Sequence, residues 1–119
     1  IDRGKVSGVT EADMVKMVVL LVRKESLSYE EFLAHWEEEH VPLVEDLPGV
    51  ERYVTSHPTD PEQSAYDGVA EVYFEDMETL GAAFDSEAGE ALLADAEEFS
   101  DQDAGEVLYM NEETRFEAE

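Results

Sequence analysis

No cysteine occurs in this sequence. Its absence excludes a disulfide framework, a thiolate nucleophile and any cysteine-ligated metal. Basic residues are almost as scarce, with seven Lys and Arg against thirty-two Asp and Glu, a net charge of −25 and a pI near 4.1. A chain with no basic face cannot neutralise phosphates, so nucleic acid is excluded as a partner. Long apolar runs are missing too. The longest block, Met17–Val22, is only strand-sized, which leaves no segment to span a membrane. Residues 1–13 lack the apolar centre of a secretory signal and read as a polar N-terminal extension ahead of the fold. The expected compartment is the cytoplasm, and residues 14–116 are expected to form one domain.

Apolar residues still make up 43% of the chain, in periodic blocks separated by turn signals, a globular pattern. The carboxylates lie on every block rather than in one tail. Up to residue 60 there are six basic and thirteen acidic residues; beyond it Arg115 faces nineteen acids alone. Such self-repulsion opposes compaction in dilute buffer. Molar salt shortens the screening length to about 3 Å and removes most of that cost. The composition fits a salt-adapted, halophilic protein.

The blocks can be ordered. Lys16–Arg23 reads as a central strand. Ser28 with Glu31 forms a capping box that opens a helix running to about His40. Pro42 should disturb it, leaving Leu43–Leu47 as an irregular last turn before the stop at Leu47-Pro48-Gly49. Strands are expected at Val50–Ser56 and Tyr66–Glu75, with a loop between them. Asp76 caps a helix to about Phe84, Ser86 caps another to about Phe99, and Glu106–Asn111 is a last strand. The order β-α-β-β-α-β is that of an α+β, ferredoxin-like domain, with an antiparallel sheet carrying helices on one face only. Its other face needs a cover, so a homodimer through the sheet face is expected.

At α-helical phasing Tyr29, Phe32, Leu33, Trp36, His40, Leu43 and Leu47 share one face of the first helix. His35 falls among glutamates on the other and reads as solvated. Five residues apart, His35 and His40 do not make the i, i+4 pair of a zinc protease. His40 is either a core histidine or a general acid or base facing a cavity. A metal site of His40, His57 and Glu71 would require all three to converge, and no metal is expected. No phosphate-binding loop or nucleophile-elbow pattern is present.

Ser28-x-x-Glu31-Phe32, His35-Trp36, His40-x-Pro42-Leu43, Leu47-Pro48-Gly49 and Tyr53 resemble the opening signature of the EthD family. The resemblance continues at Tyr66-Asp67-Gly68-Val69-Ala70-Glu71 and at Asp95-x-x-x-Phe99, covering nearly all of Met14–Asn111. The usual residue at position 35 in that pattern is tyrosine. The resemblance implies a dimeric α/β barrel related to muconolactone isomerases and cofactor-free polyketide oxygenases. Members are tied to ether degradation or to dehydration and cyclisation of polyketides. The matching positions are Trp36, His40, Tyr53, Glu71 and Asp95.

On this reading the chain is a lyase or isomerase-type enzyme without a cofactor, acting on a small, largely apolar, oxygenated compound. His40, Glu71 and Asp95 are the candidate catalytic residues, His40 moving a proton and a carboxylate orienting it. Trp36 and Tyr53 are expected to wall an apolar pocket. Arg23, a candidate charge partner of Glu71, and Tyr73, on the same strand face as Glu71, complete the candidate ligand-binding set. Glu71 could equally be a structural ion pair with Arg23, Lys16, Arg52, Arg115 or His40, and Asp95 a bridge holding the late helix. The alternative is a non-enzymatic domain that binds a small hydrophobic ligand or only assembles.

Light scattering during a titration from dilute buffer to molar KCl tests the charge argument. The expected outcome is a compact dimer that forms as salt is raised. Indifference to salt contradicts salt adaptation, and a monomer at molar salt contradicts the dimer.

Overall fold

The computed structural model describes residues 14–118. The extension expected at residues 1–13 lies outside them. Strand β1, Val15–Leu21, is apolar on both faces because it is central: β3, Gly68–Phe74, pairs with one of its edges and β4, Glu106–Asn111, with the other. Strand β2, Arg52–Ser56, closes the far side of β3, giving the order β2-β3-β1-β4 with every neighbouring pair antiparallel. The expected ferredoxin-like α+β topology is present, with β1 to β3 slightly shorter than the sequence suggests.

The helical layer begins with α1, Tyr29–His35, opened by the capping box between Ser28 and Glu31. Helices α3, Met77–Asp85, and α4, Glu87–Phe99, start at Asp76 and Ser86, whose side chains accept from the backbone N–H groups of Thr79 and Gly89. One expectation is corrected. The segment around Pro42 is not an irregular turn: Val41–Glu45 is helical (α2), and the chain winds on from α1 through a π-helical turn at Trp36–His40. Val41 N–H bonds to the carbonyl of Trp36, five residues back. Proline has no N–H and its ring crowds the carbonyl four residues before it, so a widened turn ahead of Pro42 relieves the clash without ending the helix. The stop comes at Gly49, with φ of 82°.

Antiparallel pairing puts Tyr53, Val72, Met17 and Tyr109 in one row across the sheet and Arg52, Tyr73, Lys16 and Met110 in the next. The first row faces the helices. There Met17, Val72 and Phe74 pack with Val44, Leu47, Leu80 and Leu92, while Leu21 and Ala70 pack with Phe32, Trp36 and Phe99. Gly68 lies under Trp36, where a Cβ would collide with the indole ring. The second row belongs to the far face, which no helix among the described residues covers. No helix among the described residues is long and apolar enough to cross a membrane.

Candidate functional site

The π turn decides where the histidines point. On an α-helix, residues four apart lie on one face. Here the hydrogen bond spans five, so His35 and His40 come to the same side. This corrects the expectation of a solvated His35. Asp95, on the facing side of α4, holds both: His35 Nε2 lies 2.9 Å from Oδ1 and His40 Nδ1 lies 2.8 Å from Oδ2. All three side chains are largely buried, with 26%, 12% and 16% of His35, His40 and Asp95 exposed. One turn further along α4, Phe99 packs against both imidazoles, its ring centroid 4.8 Å from that of His35 and 4.9 Å from that of His40. Asp95 and Phe99 thus act together, the carboxylate on the ring nitrogens and the phenyl stacked on His35 and tilted against His40.

An ionised carboxylate only accepts hydrogen bonds. Asp95 therefore selects the neutral His40 tautomer protonated at Nδ1, leaving Nε2 with its lone pair. Burial is the largest influence on His40 and lowers its pKa below 6.5; the hydrogen bond and charge of Asp95 oppose this, and nearby His35 adds to the lowering. The imidazole is neutral at neutral pH, the state a base requires.

His40 lines a cavity of ≈ 210 Å³ between helices and sheet, walled chiefly by apolar side chains such as Met17, Val19, Ala70, Val72 and Leu92. Trp36 and Tyr53 line it as expected, and Trp36 Nε1–H donates to the Tyr53 hydroxyl oxygen at 3.0 Å. Burial raises the Tyr53 pKa while the bond from Trp36 works against it, so the phenol stays protonated. Gln102 and Tyr109 are also on the wall, but among the described residues no carboxylate or cation is. A second cavity of ≈ 190 Å³ adjoins it, sharing Val19, Leu21, Gln102 and Val107.

Three candidates lie elsewhere. Glu71 points to the far face of the sheet, between Ala70 and Val72, which face the cavity, and accepts from Lys16 Nζ at 2.9 Å. It is not brought to His40. Lys16 also bonds to Glu112 at 2.9 Å; burial acts to lower its pKa, but the bonds to both carboxylates outweigh this and raise it. Tyr73 shares that face, donating to Glu112 with Lys16 and Arg52 over its ring. Arg23, beyond the end of β1, gives its N–H to Asp67 and its guanidinium to the Leu27 carbonyl, pinning connecting segments rather than lining the cavity. His57 packs at a tilt against Trp36 with ring centroids 5.3 Å apart, and among the described residues His40, His57 and Glu71 do not converge.

The EthD domain family matches residues 24–103. The chain belongs to the EthD family. An uncharacterized 11.0 kDa protein of the thcB-thcC intergenic region of Rhodococcus erythropolis is 36% identical over 87 residues, covering 70% of this chain and 82% of that one. The solved structure of an EthD family protein from Bacillus halodurans superposes with a TM-score of 0.73 at 26% identity, covering 83% and 98% of the two chains. SnoaB, a cofactor-independent oxygenase from Streptomyces nogalater, shares the fold, with a TM-score of 0.66 at 15% identity over 86% of this chain and 95% of its own.

In this EthD chain the burial of His40 couples stability to pH. The folded state resists protonating His40 and the unfolded chain does not, so the unfolded state takes up the proton first on acidification. This contribution is present above pH 6.5 and is lost as pH falls through the lowered folded value. Denaturant unfolding in molar KCl should give a lower midpoint at about pH 5.5 than at about pH 7.5, with the difference reduced in His40→Gln. An identical difference in wild type and variant contradicts the assignment.

Proposed function

We propose that this chain is an enzyme of lyase or isomerase type that uses no cofactor, with His40 moving a proton on a small apolar oxygenated compound. The observation that carries this reading is the His40 imidazole on an apolar cavity wall, with Nδ1 fixed by Asp95. As Nε2 takes a proton, the ring becomes cationic, and Asp95 stabilises that cation without moving. The second imidazole on Asp95 holds the carboxylate in place, so His35 acts as a positioning residue. SnoaB, described as a cofactor-independent oxygenase, supports the reading that this fold can house chemistry without a cofactor, although a fold alone does not assign one. An apolar wall would also serve a binding protein. An imidazole oriented by a buried carboxylate is a feature that simple apolar binding does not require.

The far sheet face is the proposed dimer surface. Leu108 and Met110 there are 38% and 47% exposed. The charges beside them are already matched, Lys16 by Glu71 and Glu112, so covering this face leaves neither that lysine nor its carboxylates unpaired. A cytoplasm rich in salt is the setting that the composition fits.

Exchange of carbon-bound hydrogen for deuterium, followed by NMR over a panel of small hydroxyketones, ketones and lactones, tests the role of His40. His40→Gln should slow exchange about 100-fold or more while keeping its circular dichroism and dimer mass in molar KCl. Undiminished exchange sinks the assignment, as does loss of the fold.

A further inference from the structure

The Trp36–Tyr53 pair has a direction. An indole N–H is a donor only, so in this 3.0 Å bond the Tyr53 oxygen must accept. The phenolic hydrogen is not spent on Trp36, and no other hydrogen bond of that hydroxyl occurs among the described residues. Trp36 is 1% exposed and held by Phe32 at 5.6 Å, so it is a stiff anchor for the oxygen it grips. Trp36 also sits in the same π turn as His40, which ties the positions of phenol and imidazole to one rigid segment. Both side chains line the same apolar cavity, whose wall carries no permanent charge among the described residues.

We propose that Tyr53 is the donor that holds an oxyanion formed during the reaction, and that the substrate class is a small neutral ketone or lactone with an acidic C–H beside its carbonyl. The inference rests on the reading of His40 as the base. A substrate with a permanent charge away from Tyr53 would find no counter-charge among the described residues of the wall, and its desolvation would go uncompensated. A neutral carbonyl meets no such penalty. Its negative charge exists only in transit, when a fixed donor in a dry site acts most strongly. His40 Nε2 takes the proton from the carbon next to the carbonyl. The C–H electron pair becomes a carbon–carbon π bond and the carbonyl π pair moves onto oxygen. Tyr53 O–H donates to that enolate oxygen and keeps its own proton. The imidazolium then returns the proton from the same face, two carbons along in an unsaturated substrate, with relocation of the double bond. No electron donor or acceptor enters.

The test uses 4-nitrophenol as an enolate mimic whose ionisation is read by absorbance, with 4-nitroanisole as the neutral control that cannot ionise. Wild type in molar KCl near neutral pH should bind the phenolate form. Tyr53→Phe should weaken that binding about tenfold or more, as expected for a lost hydrogen bond to a charged oxygen, while binding 4-nitroanisole unchanged. Proton NMR of the wild-type complex should show a new, strongly downfield hydroxyl resonance, which keeps the test valid if the variant fails to fold. Failure of the wild type to bind the phenolate, equal phenolate binding by Tyr53→Phe, or absence of the resonance each overturns the inference. These results leave the base assignment standing, because that stands or falls on the exchange experiment with His40→Gln.

Discussion

Two imidazoles share one carboxylate at the meeting of α4 with the π turn. Asp95 bonds His35 and His40 through different oxygens, and the rest of the site follows from that arrangement. A carboxylate buried to this extent is costly unless its oxygens are satisfied, and here each has a ring nitrogen. The arrangement needs the π turn, because only a five-residue hydrogen bond places both histidines over α4. The π turn in turn answers to Pro42, which cannot continue an ordinary helix without strain. Phe99 keeps the rings upright from the same helix that supplies the carboxylate. A proline in one helix and an Asp-x-x-x-Phe spacing in another thus determine the tautomer of a single histidine.

The sheet divides the charges of the molecule into two environments. On the helix side the rows are apolar and enclose the cavity. On the far side Lys16, Arg52, Glu71, Tyr73 and Glu112 gather into a cluster of paired charges and aromatic contacts. This separation matters in a chain with so many carboxylates. A carboxylate on the cavity wall would favour the imidazolium and leave less of the neutral base at neutral pH. Asp95 is set behind His40, where it stabilises the cation once formed, and is absent from the cavity wall.

Much of this was legible in the sequence, and the misses have physical causes. The caps at Ser28, Asp76 and Ser86 lie at the helix starts because a side-chain acceptor there is a local, sequence-encoded event. Strand β4 runs from Glu106 to Asn111 as read. His40 and Trp36 line the cavity because they fall on the inward face under either helical geometry, and Tyr53 because strand alternation turns it toward the helices. His35 was misplaced because 100° phasing assumes an unbroken α-helix; two histidines five apart with Pro42 close behind were the available signal. For Glu71, alternation correctly grouped it with Val69 and Tyr73. It could not say which side of the strand meets the helices, since Ala70, Val72 and Phe74 on the other side are also apolar. Arg23 was placed by the end of β1 and its bond to Asp67, a long-range fact that no local pattern carries.

Everything functional in this account depends on which nitrogen of His40 holds the proton. Long-range proton–nitrogen correlation NMR of histidine-labelled protein, in molar KCl near pH 7.5, reads this directly. His40 should be neutral and protonated at Nδ1, with His35 protonated at Nε2 and both patterns collapsing in Asp95→Asn. A His40 protonated at Nε2, or two histidines indifferent to Asp95→Asn, would contradict it.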